Sequence, residues 1–339
     1  MSTSINKSKS VILPEYNNNL IRAIIGMKTG ERELPVLKAD QVLIKMEAAP
    51  CNPSDIAFIR GGYNIIKPVP AVPGFEGAGE VVEAGNYAKE MLGKKVSSFI
   101  QNDVDGTWAE YFIANKKDCI VLKEKLDFEQ GACLAINPFT AYGLVEIAET
   151  AKCKAIVQNA ARGQVAEFVR VLAALKGIDV INVVRKQEQL ILLKEKGVKF
   201  ILDSTTENFN ADLLDLVNTL KPMMAFDAVG GEMTGLFMNS LPSSSSTILY
   251  GGLAGGSLSG IDPMEIIFKG KKLEGFNLNE WIANKTPEEF DKVNHKIQDL
   301  IINGKMKTEI QASFKLDDVV TGIRAYIKSM SSGKVLFKP

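Results

Sequence analysis

The sequence predicts an α/β chain in two parts: a β-rich domain, and a doubly wound parallel sheet covered by helices on both faces. Three observations predict it. Between Pro50 and Gly93 apolar runs alternate with dense glycines and prolines, the texture of short strands and turns. From Asn137 onward, short apolar runs instead alternate with amphipathic helical segments, as strand–helix–strand units do. After residue 305 the β-rich texture returns in "IQASFKL" and "GKVLFKP". The boundaries read from this are 1–136 with 306–339 for the β-rich domain, and 137–305 for the parallel sheet.

The elements follow in order. "QVLIKMEAAP" and "GAGEVVEAG" are strands of the first domain. "KAIVQNA" opens the second, followed by a helix from Gln164 to Leu175 with Val165, Phe168, Leu172 and Leu175 on one face. Next come the strand "DVINVV", the helical "KQEQLILLKEKG" closed by glycine, and "FILD". A helix around "ADLLDLVNTL", the strand "MMAFDAVGG", the helix "MTGLFMNSL" and "STILYGG" continue the alternation, and "KKLEGFNL" reads as a last strand. "FDKVNHKIQDLI" is a helix with Val293, Ile297, Leu300 and Ile301 at helical spacing, and "DDVVTGIRAYIKSM" is another.

A parallel sheet of this kind binds ligands beyond the carboxyl ends of its strands, where strand order reverses. The junction "VQNAARGQVAEF" stands at such an end, between a strand and a helix. Ala161, Arg162, Gly163, Gln164 and Val165 make a pyrophosphate turn of the Rossmann kind, with backbone amides and helix dipole as donors. Gly163 supplies the permissive backbone, Ala166 stands at the packing position, and Gln164 replaces a glycine. Arg162 adds a cation beside the phosphates. A site for NAD places a carboxylate about 20 residues on, for the ribose 2′-hydroxyl. Here Arg185 and Lys186 occupy that place, and cations match a 2′-phosphate. The cofactor is therefore NADPH.

Bulk composition excludes other classes. Lys+Arg and Asp+Glu both total 40, so no net field favours nucleic acid or an anionic membrane, and 46% hydrophobic with 24% charged is a globular balance. No apolar run approaches the roughly 20 residues of a membrane span, and "MSTSINKSKS" lacks a signal-peptide core. Cys51, Cys119, Cys133 and Cys153 lie far apart, as expected of a reducing cytoplasm. One histidine, His295, falls in a helix as a surface or boundary residue, so no histidine metal set or triad exists and no metal is expected.

Several motifs carry a family resemblance: "APCNPSDIAFIRGGY", "PAVPGFEGAGEVVEAG", "GTWAEYF", "NPFTAYGLV", "VQNAARGQVAEF" with "INVVR", and "IIFKGKKLEGFNLNEW". Over essentially its whole length the chain resembles the zinc-independent medium-chain dehydrogenases/reductases. Within them it looks most like the 2-enoyl thioester reductases of the mitochondrial enoyl-CoA/acyl-carrier-protein type. The resemblance implies a GroES-like catalytic domain and hydride delivery from NADPH to the β-carbon of a 2-enoyl thioester. It makes Tyr63 the donor to the substrate carbonyl or enolate, since a phenol of ordinary pKa about 10 is protonated at neutral pH. Asn52 orients substrate or nicotinamide ribose, or else forms the turn before Pro53. Thr140 matches a position by the nicotinamide end. Gly251 and Gly252 either permit close backbone approach to the nicotinamide or simply make a turn. Phe276 and Trp281 are candidates to wall an acyl pocket, with an ordinary core role the first reading for Phe276. Cys51 falls near the zinc ligand of the family's metal enzymes but is read as a small buried residue. A homodimer through the edge strand "KKLEGFNL" is also implied.

Two other functions stay open. A quinone oxidoreductase uses the same cofactor site with a flat aromatic pocket. A catalytically silent NADPH-binding protein uses the cofactor alone, and the altered glycine turn keeps that reading in play.

Overall fold

A computed structural model describes residues 5–101 and 104–339; Met1–Ser4 of the N-terminal segment read above lie outside them. The chain divides into two units, Met1–Pro138 with Asn294–Pro339, and Phe139–Val293. The return to the first unit begins at Asn294, inside the helix Pro287–Ile302, and not after residue 305. A regular helix shows no change of texture where it passes from one core to another.

The first unit is built on a seven-stranded sheet, in the order Ile310–Lys315, Lys334–Lys338, Gln41–Pro50, Glu76–Ala84, Lys95–Phe99 and Cys119–Val121, with Tyr111–Asn115 also paired to Gln41–Pro50. The long strand Gln41–Pro50 is buried at eight of its ten positions, because neighbours cover it on each side. Trp108, Phe58, Phe75, Phe112 and Phe337 fill the core around it. The last strand comes back against the first domain with Leu336 opposite Pro50, and Cys51 N–H donates to Val335 O at 2.9 Å. That pairing brings Lys334 beside Asn52.

The second unit is a six-stranded sheet in the order Phe200–Asp203, Asp179–Val184, Ala155–Gln158, Met224–Asp227, Ser246–Leu249, Lys272–Gly275. Every pairing in it is parallel. Ala155–Gln158 and Met224–Asp227 are buried at all four positions, as strands covered on both faces must be. The order reverses between these two strands, which puts the ligand crevice at their carboxyl ends. Of the predicted helix face, Phe168 and Leu172 are buried, but Leu175 is 48% exposed because the helix stops at Ala174 and Leu175 is its C-cap. His295 is exposed.

Candidate functional site

Each unit carries candidate site residues of its own. In the first, the helix Pro53–Ile59 starts at Asn52, whose backbone N–H donates to Asp55 Oδ2 at 2.7 Å in a capping box. Asn52 is 2% exposed, and both ends of its amide are engaged: Nδ2 donates to Glu76 Oε2 at 3.2 Å, and Oδ1 accepts from Lys334 Nζ. Glu76 Oε1 accepts from Ile136 N at 2.9 Å, and Asp55 Oδ1 accepts from Phe75 N at 3.0 Å. Burial pushes both carboxyls up to about 7, opposed by the Lys334 ammonium and by these hydrogen bonds. Burial likewise raises the Cys51 thiol, which is fully enclosed.

Tyr63 follows that helix and the left-handed Gly61 (φ +71°). Its half-buried ring packs at 5.1 Å from that of Phe75, and its hydroxyl accepts from Gln101 Nε2 at 2.9 Å. Burial raises the phenol above its ordinary value, Gln101 pulls it down, and the Asp55 charge adds a smaller upward push.

In the second unit the turn after Ala155–Gln158 leads through Arg162 to Gly163, the N-cap of the helix Gln164–Ala174. Gly163 has no side-chain cap bond, so the helix N-terminus keeps its anion-binding character. The bend itself departs from the expectation. Gly163 is extended (φ −72°, ψ 160°), and the left-handed residue is Ala160 at φ +46°. The permissive backbone predicted for Gly163 is thus supplied three positions earlier, by a residue without glycine's freedom. Ala161 is fully buried, while Arg162, Gln164 and Val165 are half-buried.

Arg185 and Lys186 follow the strand Asp179–Val184, both exposed. Lys186 pairs with Glu188 at 3.5 Å, whereas Arg185 has no ion pair among the described residues. Gly251 and Gly252 follow Ser246–Leu249. A Cβ on Gly251 would lie 2.7 Å from Ala228 O, so only glycine lets these two chain segments pass, and a Cβ on Gly252 would meet open space. Thr140, 8% exposed, lies in the helix Asn137–Thr150.

Phe276 and Trp281 pack on that same helix at Gly143, where a Cβ would fall 2.6 Å from Phe276 Cζ and 3.1 Å from Trp281 Cε2. Trp281 Nε1 donates to Glu146 Oε2 at 2.8 Å, and Lys285 Nζ lies 4.4 Å above the Trp281 ring while pairing with Glu146.

Sequence reasoning placed the crevice but passed over Asn159 and Asp227 in it. Asn159 Nδ2 donates to Asp227 Oδ1 at 2.5 Å, and Asn159 Oδ1 accepts from Ala228 N at 2.8 Å, across the two strands where the order reverses. Asp227 also accepts from Val229 N, Gly230 N and Thr234 Oγ1. The signal was a polar residue ending each apolar strand, in "IVQN" and "MAFD". Among the described residues, no group of three His, Cys, Asp or Glu is placed to hold a metal, and no helix is long and apolar enough to cross a membrane.

Residues 38–124 match the alcohol dehydrogenase GroES-like domain, and residues 165–298 match the domain described as zinc-binding dehydrogenase. The mitochondrial enoyl-[acyl-carrier-protein] reductase of Rattus norvegicus is 30% identical over 315 residues, covering 89% of this chain and 82% of that protein. A Mesorhizobium loti protein provisionally assigned as an NADPH:quinone reductase superposes with a TM-score of 0.92 at 30% identity, over 99% of this chain and 100% of the other. Etr1p of Candida tropicalis, solved with NADP and crotonyl-CoA, has a TM-score of 0.79 at 21% identity, over 99% of this chain and 100% of that one, a likeness of fold. The β-rich unit with its GroES-like match, the six parallel strands and these relatives lead to one conclusion: the chain belongs to the medium-chain dehydrogenase/reductase family, with enoyl-[acyl-carrier-protein] reductases among its relatives.

Proposed function

We propose that the chain reduces 2-enoyl thioesters, with hydride delivered from NADPH to the β-carbon. Membership of the family makes it an NADPH-dependent oxidoreductase of the medium-chain type, and the 30% identity to an enoyl-[acyl-carrier-protein] reductase over 82% of that protein supports the substrate class. The observation that carries the chemistry is Tyr63: a half-buried phenol held protonated by burial, with its ring fixed on Phe75. Such a hydroxyl is a donor for the oxygen on which charge grows as the double bond is reduced.

The second unit's residues fit a dinucleotide phosphate. The Arg185 guanidinium is exposed, without an ion pair among the described residues and beside Lys186, and both serve the 2′-phosphate. The segment Ala161, Arg162, Gly163, Gln164 and Val165 serves the pyrophosphate from the helix N-terminus. Gly251 and Gly252, where side chains are excluded or would project into open space, serve the nicotinamide end together with Thr140. NADPH supplies the hydride when bound. Asn52, with its amide engaged by Glu76 and Lys334, orients the site through its position at the helix start. Phe276 and Trp281 serve the acyl chain.

Two further features belong to this reading. Lys272–Gly275 is an edge strand, and Ile266, Ile267 and Phe268 stand 46%, 63% and 78% exposed just before it, which supports a homodimer along this edge. The four free cysteines support a reducing compartment, the cytoplasm, although the rat relative is mitochondrial by name. The Mesorhizobium relative favours a second reading, quinone reduction. Steady-state kinetics with crotonyl-CoA and a naphthoquinone, for the parent and Tyr63→Phe, decide between them. Thioester reduction is expected to fall in the variant by about 10²–10³-fold, with NADPH affinity unchanged. A variant as fast as the parent on crotonyl-CoA overturns the role of Tyr63.

A further inference from the structure

We infer that Gln101 is a positioning residue that aims the Tyr63 hydroxyl outward as a hydrogen-bond donor. The inference rests on the thioester reading above. Gln101 Nε2 donates to Tyr63 Oη at 2.9 Å. A phenol oxygen carries one proton and accepts through its lone pairs. With the amide N–H on the oxygen, Gln101 presents a donor to it, and the phenol proton points elsewhere. The same N–H steadies negative charge on that oxygen, against the burial that disfavours it.

The pair is mounted on Phe75. The strand Lys95–Phe99 runs into Ile100, whose N–H donates to Phe75 O at 2.7 Å, and Gln101 is the next residue. The Phe75 ring is 5.1 Å from that of Tyr63, tilted by 38°, and Phe75 N–H is held by Asp55 Oδ1. One residue thus fixes both the phenol plane and the segment that carries the amide. Tyr63 is reached from the helix side and Gln101 from the sheet side, and Phe75 touches both segments.

The test exchanges the amide for a carboxylate. In Gln101→Glu the side chain keeps its length but loses its N–H, and the carboxylate accepts the Tyr63 proton and turns it inward. Turnover of crotonyl-CoA at neutral pH should fall by about 10²-fold, toward that of Tyr63→Phe, while the NADPH dissociation constant stays that of the parent. As pH falls toward the ordinary glutamate value of about 4.3, the introduced carboxyl takes up a proton, donates again, and activity relative to the parent recovers. Gln101→Leu removes the donor without adding charge, so its activity falls with no recovery in acid. Phenolate absorbance, as the difference between each protein and its Tyr63→Phe counterpart, follows Tyr63 alone and should shift to higher pH in both variants.

An unmoved Tyr63 titration, or parent-like turnover in Gln101→Glu, overturns the assignment of Gln101. No turnover of crotonyl-CoA by the parent overturns the functional reading instead, and full thioester activity in Tyr63→Phe overturns only the role of Tyr63. In either case the titration still decides whether the amide governs the phenol.

Discussion

Gln158 and Asn182, register partners on adjacent parallel strands, are joined side chain to side chain: Gln158 Nε2 donates to Asn182 Oδ1 at 2.8 Å, with both residues buried. The same Nε2 donates to Ala166 O at 3.1 Å, in the first turn of the helix that follows the phosphate turn. Arg170, one helical turn further on, reaches back from NH1 to Ala161 O at 2.6 Å and to Asn182 Oδ1 at 3.3 Å. A turn short of glycines is therefore held from beneath by amide and guanidinium groups.

Arg170→Ala should weaken NADPH and NADH binding in the same proportion. It leaves the buried carbonyl of Ala161 without this partner, a loss of about 1–3 kcal/mol shared between fold stability and turn geometry. The pyrophosphate is common to both cofactors, so their ratio should stand. Fluorescence titrations with the two nucleotides measure it, and a changed ratio contradicts this role.

Arg185→Ala should do the reverse. A charge-assisted contact to the 2′-phosphate is worth roughly 1.5–3 kcal/mol, so NADPH affinity should drop about tenfold or more while NADH affinity holds. Equal affinities for the two cofactors in the parent protein would remove the basis for assigning Arg185 and Lys186 to the phosphate.

Stability should fall as pH rises toward and past neutrality. Glu76 and Asp55 hold their protons up to about 7 in the folded chain, against ordinary values of 4.5 and 3.8. Between those limits the folded chain binds more protons than the unfolded one, so this contribution is complete below the ordinary values and is lost as pH climbs through about 7. Glu76→Gln, which cannot ionise, should flatten the slope. Thermal melts of both proteins from about pH 5 to pH 8 report it, and a parent that gains stability over this window contradicts the assignment.

The protein should sediment as a dimer at micromolar concentration, and Phe268→Glu should shift it toward monomer. Phe268 is 78% exposed beside the edge strand Lys272–Gly275, and a carboxylate there opposes burial against a second copy. A monomeric mass for the parent refutes the interface.

The parallel sheet was legible because strands covered on both faces are written as unbroken apolar runs, as in Ala155–Gln158 and Met224–Asp227. The positions proposed for the cofactor were legible as local features: a strand end, a helix start, and a cation after the next strand. Ala160 escaped because nothing in an alanine announces a left-handed backbone. Tyr63 entered through family likeness, and Gln101 did not enter at all, since the two lie 38 positions apart and only the fold makes them neighbours. The cluster of Asn52, Glu76 and Lys334 was hidden for the same reason, with 282 positions between Asn52 and Lys334.

That distance has a bearing on how the chain matures on the ribosome. The unit Met1–Pro138 contains Asp55 and Glu76 but must wait for Asn294–Pro339 to supply its last strands and the Lys334 ammonium. The unit Phe139–Val293 is one continuous stretch, and all six strands of its sheet emerge before residue 294 does. Domains fold as units when their sequence becomes available. The interrupted unit, although translated first, is therefore the last to close, and it stays open to proteases and partners until its final strand has been made.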